Sequence, residues 1–245
     1  MSTEGDEVTR YLVEGMGLLS SGVPSTNTLH VLEPSASRRD AERMVRRVQD
    51  ARLPFVFRVR PNAPDWVDDL AAASGLTQRL AFPIMRATPG TPLPPVDVQT
   101  IVEVDPGDAG LVRRVRDAFT WGNGVPPGVF DPLVAPAMFD RPEVAVYAAL
   151  DESAVTSVGI RLQVPGAVGV FGVATPPEHR RRGLGAGITA RILLDGFAAG
   201  ARTAFLGATP MGYRIYERLG FRTVETWTFH VPGPVAAAVS EGRRP

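Results

Sequence analysis

V-A-T-P-P-E-H-R-R-R-G-L-G-A-G-I-T-A, residues 173–190, joins an apolar run to an apolar helical pattern through a turn rich in Pro, Arg and Gly. Val168 to Val173 reads as a strand, and Pro176-Pro177 stops it. Beyond the turn, Leu184, Ile188 and Ile192 recur on one helix face, with Leu193 and Phe197 beside it, until Gly200. Strand, Gly-rich turn and helix in that order suit a phosphate-binding loop. Glycines let the backbone bring its N–H groups close to an anion, and the helix N-terminus adds a favourable dipole. Arg180, Arg181 and Arg182 place fixed positive charge and bidentate donors beside it. The expected ligand carries a phosphate or pyrophosphate.

The glycines at 183, 185 and 187 do not fit the dinucleotide fingerprint G-x-G-x-x-G. A P-loop needs Gly-Lys-Ser/Thr, and the chain contains no lysine, all 26 Lys+Arg positions being Arg. The segment instead resembles the acetyl-coenzyme A loop of the GNAT superfamily of N-acetyltransferases, Arg/Gln-x-x-Gly-x-Gly/Ala, through Arg180, Gly183 and Gly185. A second segment adds to the likeness. In T-A-F-L-G-A-T-P-M-G-Y-R-I-Y-E-R-L-G-F-R, residues 203–222, Ala204 to Ala208 reads as a buried strand and Tyr213 to Leu219 as a short helix capped by Gly220. Tyr216, Gly220 and Phe221 fill the family's Tyr-x-x-x-Gly-Phe.

The resemblance implies an α/β (α+β) GNAT fold, a mixed and mostly antiparallel central sheet flanked by helices. It implies acetyl-CoA as co-substrate, with the pyrophosphate held by Arg180, Arg181, Arg182, Gly183, Leu184, Gly185 and Ala186. It also implies that the strand ending at Val173 splays from Ala204–Ala208, freeing backbone near Val173 and Ala174 for the pantetheine. Tyr216 is the implied general acid for the leaving thiol, with Tyr213 a weaker substitute. A phenol is protonated at neutral pH and can donate to a developing thiolate. No base is evident, because neither strand carries a carboxylate. Glu178 and His179 border the loop, and Asp131, Asp140 and Glu143 read as solvated surface.

Composition is that of a globular protein, 44% hydrophobic and 21% charged over 245 residues, enough for a sizeable core. Zero formal net charge argues against nucleic acid or membrane as partner. Without cysteine there is no disulfide or thiolate site, and three scattered histidines give no metal centre. No apolar run approaches the ~20 residues of a membrane span, so a cytoplasmic location is expected.

Along the chain, residues 87–95 read as a Pro-rich linker and residues 96–245 as the acetyltransferase domain. Val98 to Val104 alternates as a first strand. A helix then carries Leu111, Val112, Val115 and Phe119, and residues 120–142 look irregular or weakly helical. Val144–Leu150 and Val155–Leu162 flank a polar turn as a hairpin, and Thr223–Val231 closes the sheet. Residues 1–86 read as a degenerate half-copy of that domain: helix 41–51, strand 54–60, helix 65–73, Gly75, strand 80–86. There Ser35–Arg39 stands in place of the Gly-rich loop and Ala71 in place of Tyr216.

A small-molecule or peptide amine is the expected acceptor, with Trp121, Phe130 and Phe139 as lining of an apolar pocket. A homodimer is among the assemblies left open. A non-catalytic acyl-CoA-binding or regulatory module is the alternative reading, favoured by the missing strand carboxylate and opposed by Tyr216.

Overall fold

The computed structural model describes residues 9–14, 16–20, 27–90, 93, 100–124 and 127–233. The chain divides into two units, Met1–Phe82 with Thr226–Pro245, and Pro83–Glu225. In chain order the elements are β1 (Thr9–Val13), β2 (Met16–Ser20), β3 (Thr28–Val31), α1 (Arg38–Asp50), β4 (Val56–Val59), α2 (Trp66–Ala73), β5 (Gln78–Ala87), β6 (Ile101–Glu103) and α3 (Ala109–Asn123). There follow α4 (Pro136–Phe139), β7 (Val144–Asp151), β8 (Ala154–Val164), β9 (Ala167–Ala174), α5 (Leu184–Ala198), β10 (Thr203–Gly207), α6 (Pro210–Arg218) and β11 (Arg222–Val231).

In the unit Pro83–Glu225, β6, β7, β8 and β9 pair antiparallel in succession. β10 then joins β9 in parallel, and the end of β5 pairs antiparallel with β10 through Ala204↔Ala87 to Gly207↔Ile84. Strand alternation sends one set of side chains to each face. Ala145, Tyr147, Ala149, Val168, Val170 and Leu206 pack with Ile188, Ile192 and Leu193 of α5. Val146, Ala148, Val158 and Ile160 pack on the other face with Val115 and Phe119 of α3. Each fully buried Leu, Ile or Phe contributes roughly 1.5–3 kcal/mol, so these layers hold the loop between β9 and α5 in a fixed frame.

In the other unit, β1, β2 and β3 are antiparallel neighbours, and β3 and β4 run parallel across α1. Residues 228–230 of β11 pair antiparallel with β4 (Thr228↔Val59, His230↔Phe57). Leu29, Val31, Phe57 and Val59 meet Ala41, Val45 and Val48 of α1 and Val67 and Ala71 of α2.

Several boundaries differ from the sequence reading for local reasons. α1 begins three residues before Ala41 because the Ser37 side chain accepts from the N–H of Asp40 as N-cap. α6 begins at Pro210, ahead of Tyr213, with Thr209 as N-cap accepting from the Gly212 N–H. α3 continues to Asn123, because left-handed Gly124 (φ 64°) and not Thr120 ends it. Residues 98 and 99 of the expected first strand, and 91, 92, 94 and 95 of the expected linker, lie outside the described residues.

Candidate active site

The site begins with an irregular strand. Register between β8 and β9 shifts between Val158 and Ile160, where Val158 opposes Ala174 but Ile160 opposes Phe171. β9 therefore carries an extra residue, and Gly172 adopts φ +57° in the bulge. A Cβ there would be strained by the positive φ and would crowd Phe119 Cε1 at 3.0 Å, so the backbone favours glycine. On its other edge, β9 pairs with β10 only from Thr203↔Ala167 to Phe205↔Gly169. Past Gly169 that edge has no ladder partner among the described residues, and the two strands part.

Side chains anchor the end of β9. Buried Ser157 Oγ donates to the Ala174 carbonyl at 3.0 Å and lies 2.9 Å from Thr175 Oγ1. Arg180 donates from Nε to the Thr175 carbonyl and from Nη2 to the Gly122 carbonyl, both at 3.0 Å. The approach of α3 that makes this reach feasible depends on Gly122, where a Cβ would lie 2.8 Å from that of Ala174. The Arg180 guanidinium thus ties the end of α3 to the end of β9.

After the short 3-10 turn Pro177–His179, Arg181 (φ 66°) and Gly183 (φ 80°) both take left-handed backbone. Gly183 caps α5 without any side-chain cap, and the first helical bond runs from Gly187 N–H to Gly183 carbonyl. The N–H groups of Leu184, Gly185 and Ala186 therefore lack intrahelical partners. A Cβ built on Gly183 would meet nothing within 4 Å, so the space before this helix end is open. Free N–H donors, the positive helix end and the exposed Arg181 make it attractive to an anion. Arg182 donates to Asp151 at 3.2 Å, in an exposed pair worth little stability.

Tyr216 lies on α6, partly buried against the α5-side core and edge-on to Phe221 at 6.0 Å between ring centroids. Gly212 makes room for its ring, since a Cβ there would stand 2.8 Å from Tyr216 Cε2. Burial pushes the phenol up to about 12. Its hydroxyl makes no hydrogen bond among the described residues, whereas the Tyr213 hydroxyl is engaged with Thr223 Oγ1 at 3.1 Å. Of the aromatic acceptor candidates, Trp121 is 65% exposed, while Phe130 and Phe139 pack against the α3-side core. Val173, Ala174 and the loop 180–186 thus adjoin one strand end, with Trp121 beside it through the Gly122 contact.

Residues 144–224 match the family model described as Acetyltransferase (GNAT) domain. Over these residues the chain is similar to GNAT acetyltransferase domains, which are acyltransferases. Solved structures share the fold of this chain over most of its length. A GCN5-related N-acetyltransferase from Kribbella flavida is 18% identical, covering 92% of this chain and 90% of its own at a TM-score of 0.65. A GCN5-related N-acetyltransferase from Sphaerobacter thermophilus is 16% identical, with coverages of 90% and 81% and a TM-score of 0.59. A functionally unknown conserved protein from Staphylococcus epidermidis is 11% identical, with coverages of 94% and 94% and a TM-score of 0.62. No curated protein sequence matches the chain.

Gly122, Ser157 and Gly172 shape the candidate site, and the sequence motifs alone do not point to them. The glycines had a local signal, each sitting in an otherwise well-formed apolar element. Ser157 had none, because its partner is a carbonyl 17 residues away.

Proposed function

We propose that the chain transfers the acetyl group of acetyl-CoA to a primary amine by direct attack. What carries this reading is the uncapped N-terminus of α5 behind left-handed Gly183, opening beside the parted ends of β9 and β10. The N–H groups from Arg181 to Ala186 would hold the pyrophosphate, with Arg181 and Arg182 adding charge. Arg180 acts through its carbonyl contacts, setting the shape of the loop. Free backbone near Val173 and Ala174 would bond the pantetheine like an added strand, and an N–H there would face the acetyl carbonyl oxygen. In the reaction the amine nitrogen forms a bond to the acetyl carbon, the C–S bond breaks, and the amine loses a proton to solvent. The departing thiolate takes a proton from Tyr216, whose unshared hydroxyl suits that task.

Residues 1–86 read, on this view, as a degenerate half-copy that keeps the frame and lacks the chemistry. Support comes from β3, α1 and parallel β4, which repeat the order of β9, α5 and parallel β10. Gly75 after α2 and Gly220 after α6 have φ of 80° and 83°. A non-catalytic acyl-CoA-binding module is the competing reading, favoured by the lack of any carboxylate on β9 or β10.

Calorimetry with CoA and thiol release from acetyl-CoA with an amine panel separate these readings. Gly183→Asp, which puts a carboxylate and a Cβ where the anion approaches, is expected to weaken CoA binding about tenfold or more, at least ~1.4 kcal/mol. Unchanged affinity in a folded variant overturns the loop assignment. Tight CoA binding with no thiol release by any amine favours the module.

A further inference from the structure

Phe171 of β9 and Phe205 of β10 sit edge-to-face, 5.8 Å between centroids at 81°. Both rings lie over Gly169, where a Cβ would come within 2.5 Å of Phe171 Cε2 and 2.8 Å of Phe205 Cζ. Glycine is therefore what lets the rings settle on the sheet. Their neighbours Val168, Val170, Ala204 and Leu206 point into the α5-side core, so this pair occupies the opposite face. Phe171 remains 40% exposed there. A lone exposed Phe needs no explanation, but this pair has a charged companion. Arg86 of β5 is directly cross-strand from Phe205 and shares its face, because Met85 and Ala87 point into the core. Arg86 is exposed, and its guanidinium has no ion pair among the described residues. None of the alternate positions on this face of β5, β10 and β9 (84, 86, 203, 205, 207, 167, 169, 171) is acidic.

We propose that this aromatic face with Arg86 is the acceptor platform, and that it takes an amine bearing an apolar or aromatic body and a carboxylate. The inference rests on the acetyl-transfer reading above. It follows from position and charge together. The face borders the point, just past Gly169, where β9 and β10 part and a thioester lying between them would be reachable. Aromatic rings provide an apolar surface with a preferred stacking geometry. The guanidinium provides a forked donor matched to a carboxylate, about two strand spacings (~10 Å) from β9. A polycation would meet that guanidinium with no carboxylate on the strands to offset it. Tyr216 packs on the α5 side, so amine and proton donor reach the gap from opposite faces.

Two acid and amide pairs test the platform: phenylalanine with phenylalaninamide, and para-(aminomethyl)benzoate with para-(aminomethyl)benzamide. Spermidine serves as the cationic control. Thiol release is measured with acetyl-CoA, and CoA affinity by calorimetry on the same protein. At least one acid should show kcat/KM about tenfold above its amide, the size of one charge-assisted contact, with spermidine below both. Arg86→Gln should bring that ratio close to one, and Arg86→Lys should restore part of it. Amides equal to acids in both pairs, preference for spermidine, or a ratio unmoved by Arg86→Gln each overturn the platform and leave acetyl transfer standing. Loss of CoA binding in the unmodified protein overturns both. If CoA binds and no amine turns over, the pairs are titrated into the CoA-loaded protein, and equal affinity for acid and amide overturns the platform.

Discussion

The proposed role of Tyr216 as proton donor rests on its surroundings, and the same surroundings make it testable. Burial raises the phenol to about 12, so it is protonated throughout any ordinary assay range and available as a donor. Tyr216→Phe keeps the ring over Gly212 and against Phe221 while removing the hydroxyl. The expected result is a kcat lower by ~10²–10⁴-fold, the loss typical of a general acid, with CoA affinity little changed. Near-normal turnover by the Phe variant would leave Tyr216 a packing residue and water the proton source. The same substitution has a signature in stability. With the folded pKa above the usual value of 10, the folded state keeps a proton that the unfolded state gives up. Stability is then intact below pH 10 and falls as pH rises through 12, and urea unfolding of Tyr216→Phe should show a shallower alkaline decline. The place of Tyr216 on a helix was legible from its spacing to Gly220. Its burial and unshared hydroxyl depend on α5 packing from elsewhere in the chain, which no short motif records.

Helix α5 packs on the sheet at a distance that two glycines set. A Cβ at Gly196 would stand 2.6 Å from Val168 Cγ2, and one at Gly159 would stand 2.5 Å from Ile188 Cγ2 and 3.3 Å from Ile192 Cδ1. Because α5 carries the open N–H groups at its first turn, lifting it moves the proposed anion site as well. Gly159→Ala is expected to cost ~1–3 kcal/mol in urea unfolding, the usual penalty for overpacking, and to weaken CoA binding in parallel. A neutral effect on both would mean that Ile188 can turn aside. At this scale the sequence was informative wherever local chemistry marks an end. Pro176-Pro177 after β9, Gly200 after α5 and Asp151-Glu-Ser153 between β7 and β8 all bound elements of the expected type. β1, β2 and β3 went unread, since residues 9–31 give no long alternating run bounded by turn signals, and pairing with neighbours decides their state. The bulge at Gly172 is likewise a property of the β8–β9 register.

The units do not follow the linear halves of the chain. The first half ends in β5, whose last residues pair with β10, and the second ends in β11, whose residues 228–230 pair with β4. Each half therefore supplies a strand to a sheet built mainly by the other, although the sequence places the natural cut at the Pro-rich segment 87–95. Cleaving the chain there and producing residues 1–90 and 91–245 separately should leave both with an unpaired strand edge, prone to aggregate. Neither fragment alone should give a cooperative melting transition, while co-expression should restore one. A sharp independent melt of either fragment would show that the exchanged strands are dispensable. The pairing of Phe57 with His230 also sets a timetable for biosynthesis. A ribosome delivers β4 long before its antiparallel partner β11, so the unit that holds β4 closes only after the intervening strands have been made. Until then the edge of β4 is exposed on a nascent chain, and a chaperone that shields it would govern yield more than any change at the Gly-rich loop after β9.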